Sequence, residues 1–329
     1  MNNSNYEIAN LPLKVGIVGT GYAAQRRAEA FLESELTELV AVVGNTKTNT
    51  EKFCETYHIF SVATWQDLIS DRHIDLICIS NINRDHGLIV REALLANKHV
   101  IVEYPLTLNP QEAPELINLA QIKKKLLHVE HIEILGGVHQ ALTENLPKIG
   151  TPILASYTTI LTKAKFAPHW TYNYHEYGFP MIAALSRLNR FTYLFGEVEK
   201  VNCQAKFWDA PETGYFSACW CQAQLMFKNQ LMVNIIYGKG EKFKSSDRTL
   251  EIYGDQGTIK FIGETGILSQ GEEITPLEVG SRRGLFNQDT KLVLAHLCHG
   301  EDLYIKNTDS ADALKVAGMA LESYKQPLN

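Results

Sequence analysis

The sequence predicts an α/β amino-terminal domain on a doubly wound parallel sheet, followed by an α+β domain on a mainly antiparallel sheet. Three observations carry this reading. Residues 13–129 alternate short apolar runs with runs of helical period, as strands buried on both faces and their crossover helices do. Two glycines, Gly19 and Gly21, fall between the first apolar run and the first helical one. Beyond residue 130 apolar and polar residues alternate singly, as in strands with one wet face. The predicted domains are residues 1–130 and 131–329.

Taken in order, Leu13–Val18 is a strand and Tyr22–Leu32 a helix, and Leu39–Val43 with Thr48–Tyr57 repeats the pair. Thr64-Trp65-Gln66-Asp67 has the spacing of a capping box and opens a short helix. Ile74–Ile79 is a third buried strand, followed by a helix over Asp85–Ala96 and the strand His99–Val102. Asn109-Pro110 starts a helix running to about Lys124, with proline at its first position. Leu126–Val129 is the last strand of the first domain. In the second domain a helix over 132–145 precedes strands at 153–162, 198–208, 217–227, 231–237, 249–253 and 257–262. Gly254-Asp255-Gln256-Gly257 makes a tight turn between the last two. A helix over 178–195 and two more at 286–299 and 309–325 complete the elements.

A chain of 329 residues with 45% hydrophobic content can bury a large core. Its net charge of −6, without a long run of one sign, argues against a nucleic-acid partner. Lys123-Lys124-Lys125 reads as a helix end. The polar start, MNNSNYEIANLPL, lacks the pattern of a secretory leader. No run reaches the ~18 apolar residues of a membrane span, so a cytoplasmic location is expected. Six scattered cysteines read as free thiols in a reducing compartment. Cys219 and Cys221 share a strand face, but no second ligand pair stands at zinc spacing, so no metal is expected. Oligomeric state is left open.

Gly19-Thr20-Gly21-Tyr22-Ala23-Ala24 is a G-x-G-x-x-A sequence between a strand and a helix, the setting of a dinucleotide fingerprint. Gly19 permits the turn, Gly21 lets the backbone approach a pyrophosphate, and the helix amino-terminus receives it. Gly19, Thr20, Gly21, Tyr22 and Ala23 are therefore assigned to the cofactor. After the second strand comes Gly44-Asn45-Thr46-Lys47, with no acid before Glu51. A carboxylate there would repel a 2′-phosphate, whereas Asn45, Thr46 and Lys47 offer donors and a positive charge. NADP(H) is the expected cofactor.

Three segments together resemble the Gfo/Idh/MocA family of NAD(P)-dependent oxidoreductases: the glycine loop, Asn83-Arg84-Asp85-His86, and Lys98-His99-Val100 leading to Glu103-x-Pro105. The resemblance implies a Rossmann domain and adds Asn83, His86 and Glu103 to the cofactor set. Members usually carry a lysine between that glutamate and proline, and an aspartate and a histidine on a later helix. This chain has Tyr104 there, and residues 178–196 hold neither Asp nor His. Proton abstraction from a sugar alcohol is then hard to explain. Glu103-Tyr104-Pro105, with His128-Val129-Glu130-His131-Ile132-Glu133 and the stretches at 19–29, 128–141 and 280–290, resembles the family's bilin-reducing branch, the cyanobacterial form in particular. That resemblance implies NADPH-dependent hydride transfer to the C10 methine bridge of biliverdin, giving bilirubin.

The residue types suit that substrate. A flat tetrapyrrole with two propionates calls for aromatic walls and a few cations. Residues 166–195 hold nine aromatics, far above the 9% of the whole chain, and Trp170 and Tyr174 are chosen as pocket-wall candidates. Arg187 and Arg190 lie one helical turn apart on a shared face. Arg187 is expected to stabilise the charge that hydride addition develops, and the resemblance assigns it this kind of role. Arg190, Glu130 and His131 are further substrate candidates, and Tyr104, counted catalytic with Arg187, is expected to play a positioning role near the nicotinamide, with proton donation second. Arg282 and Arg283 suit either a propionate or the 2′-phosphate. Two alternatives remain at this point. One is a sugar or polyol dehydrogenase using His169 or His175, and the other a non-catalytic NADP-sensing protein.

Overall fold

The computed structural model describes residues 10–326 and Tyr6; the rest of the polar start, read above as lacking a leader pattern, lies outside the described residues. The chain divides into two compact units, Met1–Ile132 with Gly284–Ser310, and Glu133–Arg283 with Ala311–Asn329. The expected division put everything after 130 into the second domain. Residues 284–310 instead join the first, because Val293, Leu294, Leu297 and Cys298 pack into the core around Val15, Ile17 and Phe31.

In the first unit β1 (Leu13–Val18), β2 (Thr37–Val43), β3 (Phe60–Ser61), β4 (Leu76–Ile79), β5 (His99–Val102) and β6 (Leu127–Val129) form one parallel sheet. Its order is β3-β2-β1-β4-β5-β6. The winding reverses at β1, which is where such sheets open a ligand crevice beyond their carboxyl ends. Every residue of β4 and β5 is buried, which is why both read as unbroken apolar runs. The two residues of β3 are exposed and carried no such signal. The connecting helices are α1 (Tyr22–Leu32), α2 (Lys47–Tyr57), α3 (Trp65–Ser70), α4 (His86–Leu95) and α5 (Ala113–Lys123). Thr64 and Asp67 make both halves of the capping box. The helix expected from Pro110 begins as a 3-10 turn, Pro110–Glu112, and ends where Lys124 takes a left-handed conformation at φ 52°.

The second unit starts with α6 (Gly137–Asn145), one turn shorter than expected. Ile132–Ile134 forms a separate 3-10 turn, and Gly136 is extended at ψ 148°. Next come β7 (Pro152–Thr162), α7 (Tyr174–Tyr177), α8 (Pro180–Ala183) and α9 (Ser186–Phe195). The continuous helix expected over 178–195 is thus broken. Proline at 180 holds Phe179 extended, as residues before proline prefer, and Ala184 leaves helical geometry before α9 begins.

The sheet continues with β8 (Val198–Asp209), β9 (Phe216–Phe227), β10 (Met232–Gly240), β11 (Asp247–Gly254), β12 (Thr258–Ile262), β13 (Thr265–Gln270) and β14 (Glu273–Leu277), in the order β14-β13-β12-β11-β7-β10-β9-β8. One pair, β7 with β10, is parallel, and the other pairings are antiparallel. Gly254 donates to the Gly257 carbonyl at 2.8 Å, closing the predicted turn. The expectation missed β13 and β14. Nearly all of β14 is exposed and it contains Pro276, as suits an edge strand without a buried face. The last helices are α10 (Leu285–His299), in the first unit, and α11 (Asn307–Lys325). Among the described residues no helix is long and apolar enough to cross a membrane, no group of three or more metal-binding side chains gathers, and all six cysteines are free.

Candidate active site

In the first unit β1 runs directly into the glycine turn. Gly19 has φ 120°, and a Cβ there would lie 2.3 Å from the Ser80 carbonyl oxygen, so only glycine fits. Gly21 caps α1 without any side-chain hydrogen bond, and the space where its Cβ would stand is open to 4 Å. The first N–H groups of α1, from Tyr22 and Ala23 onward, therefore face a cradle at the positive end of the helix. Just beyond β4 the side-chain oxygen of Asn81 is buried without a hydrogen-bond partner. An open cradle and an orphaned polar atom at the carboxyl ends of β1 and β4 fit a dinucleotide. At the end of β2, Asn45, Thr46 and Lys47 are exposed. Thr46 caps α2, accepting from the Asn49 amide at 3.4 Å, and Lys47 pairs loosely with Glu51 at 3.8 Å.

His86 and Asn83 are buried in and beside the turn before α4. The His86 ring lies between two carbonyls, Pro105 at 2.8 Å and Asn81 at 3.3 Å. Burial lowers its pKa and keeps it neutral. A neutral ring carries one N–H, so His86 donates to one of these carbonyls and lies between the end of β4 and the Glu103-Tyr104-Pro105 turn.

Glu103 is fixed by a residue the sequence reading passed over. Arg27, fully buried on α1, donates from Nε to Glu103 at 3.0 Å and from Nη1 to Asp289 and to Thr290, the latter at 3.0 Å. Asp289 also accepts from His128 at 2.8 Å and from the Tyr304 hydroxyl at 2.6 Å. Burial would raise the Asp289 pKa, but Arg27 and His128 outweigh it and hold the carboxyl well below the usual range. The available signal was an arginine in the apolar stripe Ala24, Ala28, Phe31 of α1. Its partner lies 262 positions away, beyond the reach of pattern reading.

Tyr104 is half-buried, and its ring lies parallel to His131 with centroids 5.9 Å apart and planes at 8°. His131 bonds Ser310 through Nε2 at 2.9 Å, and its buried Nδ1 has no hydrogen-bond partner. Burial, with His128 beside it, pulls its pKa down to about 3, so the imidazole is neutral. Glu130 is fully buried and accepts from the Ile132 amide at 2.6 Å. Burial and then Glu103 push its carboxyl well above the ordinary range, which favours the protonated acid. The predicted Glu103, Tyr104, Glu130 and His131 therefore gather at the carboxyl ends of β5 and β6.

In the second unit Arg187 and Arg190 lie on α9 in different settings. Arg187 is half-buried, with its guanidinium 5.6 Å from the Tyr237 ring centre and Nη1 on the Ser186 hydroxyl at 2.8 Å. Arg190 is 1% exposed, sits 5.9 Å from the Tyr157 ring centre and reaches Glu133 at 3.4 Å. Arg248 and Arg282 reach the same Glu133, while Arg283 is exposed. The aromatic run divides. Tyr172, Tyr177 and Phe191 are core, and Trp170 is half-buried near Tyr177. Tyr174 packs on Phe207 and Phe216 and gives its hydroxyl to Asp209 at 2.7 Å. Lys239 on β10, also missed, is buried with its ammonium 3.3 Å from the Tyr177 ring centre and donates to the Thr171 carbonyl.

The profile of the Gfo/Idh/MocA oxidoreductase family's NAD-binding Rossmann fold matches residues 13–131, and that of its C-terminal alpha/beta domain matches residues 145–327. Among solved structures, biliverdin reductase from Synechocystis sp. PCC 6803, in complex with biliverdin and NADP+, is 50% identical with a TM-score of 0.94, covering 96% of this chain and 100% of that one. Biliverdin reductase A of Mus musculus is 25% identical over 253 residues, 77% of this chain and 80% of its own. That of Homo sapiens is 28% identical over 202 residues, 61% of this chain, and the match spans 63% of the human protein, less than two thirds. Levoglucosan dehydrogenase, solved with NADH and L-sorbose, shares the fold at a TM-score of 0.81 and 16% identity, covering 94% of this chain and 96% of its own.

Proposed function

The chain belongs to the Gfo/Idh/MocA family of NAD(P)-dependent oxidoreductases, and from that premise we propose that it reduces biliverdin to bilirubin with NADPH. One observation carries the reading. Where a dehydrogenase needs a base, the turn after β5 offers a phenol, Tyr104, stacked on an imidazole held neutral. Neither group suits abstraction of an alcohol proton near neutral pH. Both suit a flat, conjugated acceptor that needs a surface and a hydrogen-bond donor. Likeness along the whole chain to a reductase solved with biliverdin and NADP+ supports the same substrate.

Bound NADPH supplies the hydride, which goes to the C10 methine bridge, while one proton goes to a pyrrole nitrogen. Gly19, Thr20, Gly21, Tyr22 and Ala23 hold the pyrophosphate at the head of α1, and Asn45, Thr46 and Lys47 receive the 2′-phosphate. Glu103, fixed by Arg27, orients the carboxamide or ribose, with Asn83 and His86 shaping that wall. Tyr104 positions the acceptor. Arg187 remains protonated and stabilises the negative charge that spreads over the pigment. The proton is relayed from water. Trp170, Tyr174, Arg190, Glu130 and His131 complete the substrate set. A reducing compartment, the cytoplasm, suits six free thiols.

The test is an assay with purified protein, biliverdin and NADPH. Loss of the pigment's long-wavelength absorbance in step with NADPH oxidation is expected. Turnover of polyols without bleaching would make the protein a sugar dehydrogenase, and tight NADPH binding without any turnover would make it a sensor.

A further inference from the structure

Lys239 is a buried cation that neither the cofactor cradle nor the acceptor's residues account for. It is 4% exposed on β10 and makes no ion pair among the described residues. Its ammonium donates to the Thr171 carbonyl and lies 4.6, 3.3 and 5.4 Å from the ring centres of Tyr172, Tyr177 and Phe216. Glu241, two residues along, accepts instead from the Phe166 amide at 3.1 Å. A buried ammonium without a carboxylate costs stability, so an apolar side chain would serve the core better. Strand alternation puts Tyr237 on the same buried face, two residues earlier. Tyr177, whose ring meets the ammonium, gives its hydroxyl to that of Tyr237 at 2.9 Å. The Arg187 guanidinium in turn lies 5.6 Å from the Tyr237 ring centre. One chain of contacts therefore runs from Lys239 through Tyr177 and Tyr237 to Arg187, all within the second unit. The cation is held by the ring faces and polarises the phenol that donates onward.

We propose that Lys239 is a positioning residue for Arg187, fixing Tyr177 and Tyr237 so that they set the guanidinium against the charge developing on the acceptor. This rests on the reductase reading above and assigns the lysine an effect on the reduction step exercised through the two phenols. Its charge changes in the working range. Burial lowers the Lys239 pKa to about 7, with Cys219 opposing and Lys163 adding to the fall. The groups facing it are Cys219 on β9, Lys163 at 4.7 Å from the Tyr172 ring centre, and His169, Tyr172, Tyr177 and Tyr237. Burial pushes the Cys219 thiol up to about 12 and raises the Tyr172 and Tyr177 phenols. Burial, then Lys163 and Lys239, lowers the His169 imidazole. Above neutral pH the lysine becomes an amine, and its attraction to the rings is lost.

The experiment measures kcat for biliverdin reduction by wild type, Lys239→Met, Tyr177→Phe and the double variant from about pH 6 to about pH 8.5. NADPH dissociation constants are measured beside it, with circular dichroism to confirm folding. Methionine fills the space without a charge, and phenylalanine keeps the ring while removing the hydroxyl, so either variant serves if the other fails to fold. At about pH 6 each single variant should lose about tenfold in kcat, with NADPH affinity within about threefold of wild type. The double variant should lose little more than either one, since both act along one path. The ratio of wild type to Lys239→Met should shrink toward one as the pH rises past neutrality and the lysine gives up its charge. A kcat within twofold of wild type at about pH 6 in either folded variant would overturn the proposal. A loss in Lys239→Met that does not vary with pH, or that adds in full to the loss in Tyr177→Phe, would make the lysine a structural prop and overturn it too. Wild type that bleaches no biliverdin would overturn the reductase reading itself, and this inference with it.

Discussion

At the scale of single residues, a group proposed to meet the reacting atoms differs in its effects from one that holds others in place. Arg187 is proposed for the first role, and its replacement by alanine should lower kcat by about 10²–10³, the usual effect of losing one donor at a developing charge. NADPH affinity should stay within about threefold, since the cofactor residues lie in the other unit. Pre-steady-state traces with a separate NADPH titration check both, and a loss of only twofold in kcat would remove Arg187 from the mechanism. Tyr104 and His131 could be picked out from the sequence because each leaves the end of an apolar strand. Their stacking could not be, nor could the neutrality of His131, since both follow from burial against residues far along the chain. Arg27 shows the same limit from the other side. It stood in plain view as a charge inside an apolar stripe, and its meaning needed Glu103 and Asp289 to be brought to it.

At the scale of elements the parallel strands were the easiest to read and the edges the hardest. β4 and β5 are buried on both faces, so their composition alone marks them. β3, β13 and β14 bury little, so pairing rather than patterning defines them. The helix expected over 178–195 starts late, because Pro180 holds Phe179 extended, and breaks at Ala184, which leaves helical geometry. The segment before it is pinned to β10 by Lys239, whose ammonium lies among the Tyr172, Tyr177 and Phe216 rings. Burial lowers the Lys239 pKa to about 7, with Cys219 opposing. In the unfolded chain a lysine titrates near ~10.4. Between these values the unfolded state binds more protons, so stability rises with pH across that window. The cost of burying the ammonium is present below pH 7 and is relieved above it. Relative to Lys239→Met, which cannot titrate there, wild type should gain about 2 kcal/mol in unfolding free energy from pH 7 to pH 9. Denaturant unfolding at several pH values measures this, and a difference that stays flat would contradict it.

At the scale of the whole molecule the sequence divides into two chemical roles. The first unit carries a dinucleotide cradle and a turn bearing Glu103 and Tyr104, and the second carries arginines and aromatic rings. The first role was legible because a glycine turn between strand and helix has few alternatives. The second was legible only in part. Arg187 and Arg190 stood out within an apolar helix, whereas Arg248 and Glu133 join them only through the register of β11 and the fold of the chain after residue 132. The assignment of 284–310 to the first unit had no local signal, since a helix does not announce which core it will cover. What the two roles together assert is the destination of the hydride, and that can be followed atom by atom. NADPH carrying deuterium on its transferable position should give bilirubin labelled at the central C10 carbon, seen as a one-mass-unit gain and loss of half the proton signal at that bridge. Deuterium elsewhere in the pigment, or an unlabelled pigment beside a labelled sugar alcohol, would contradict the account.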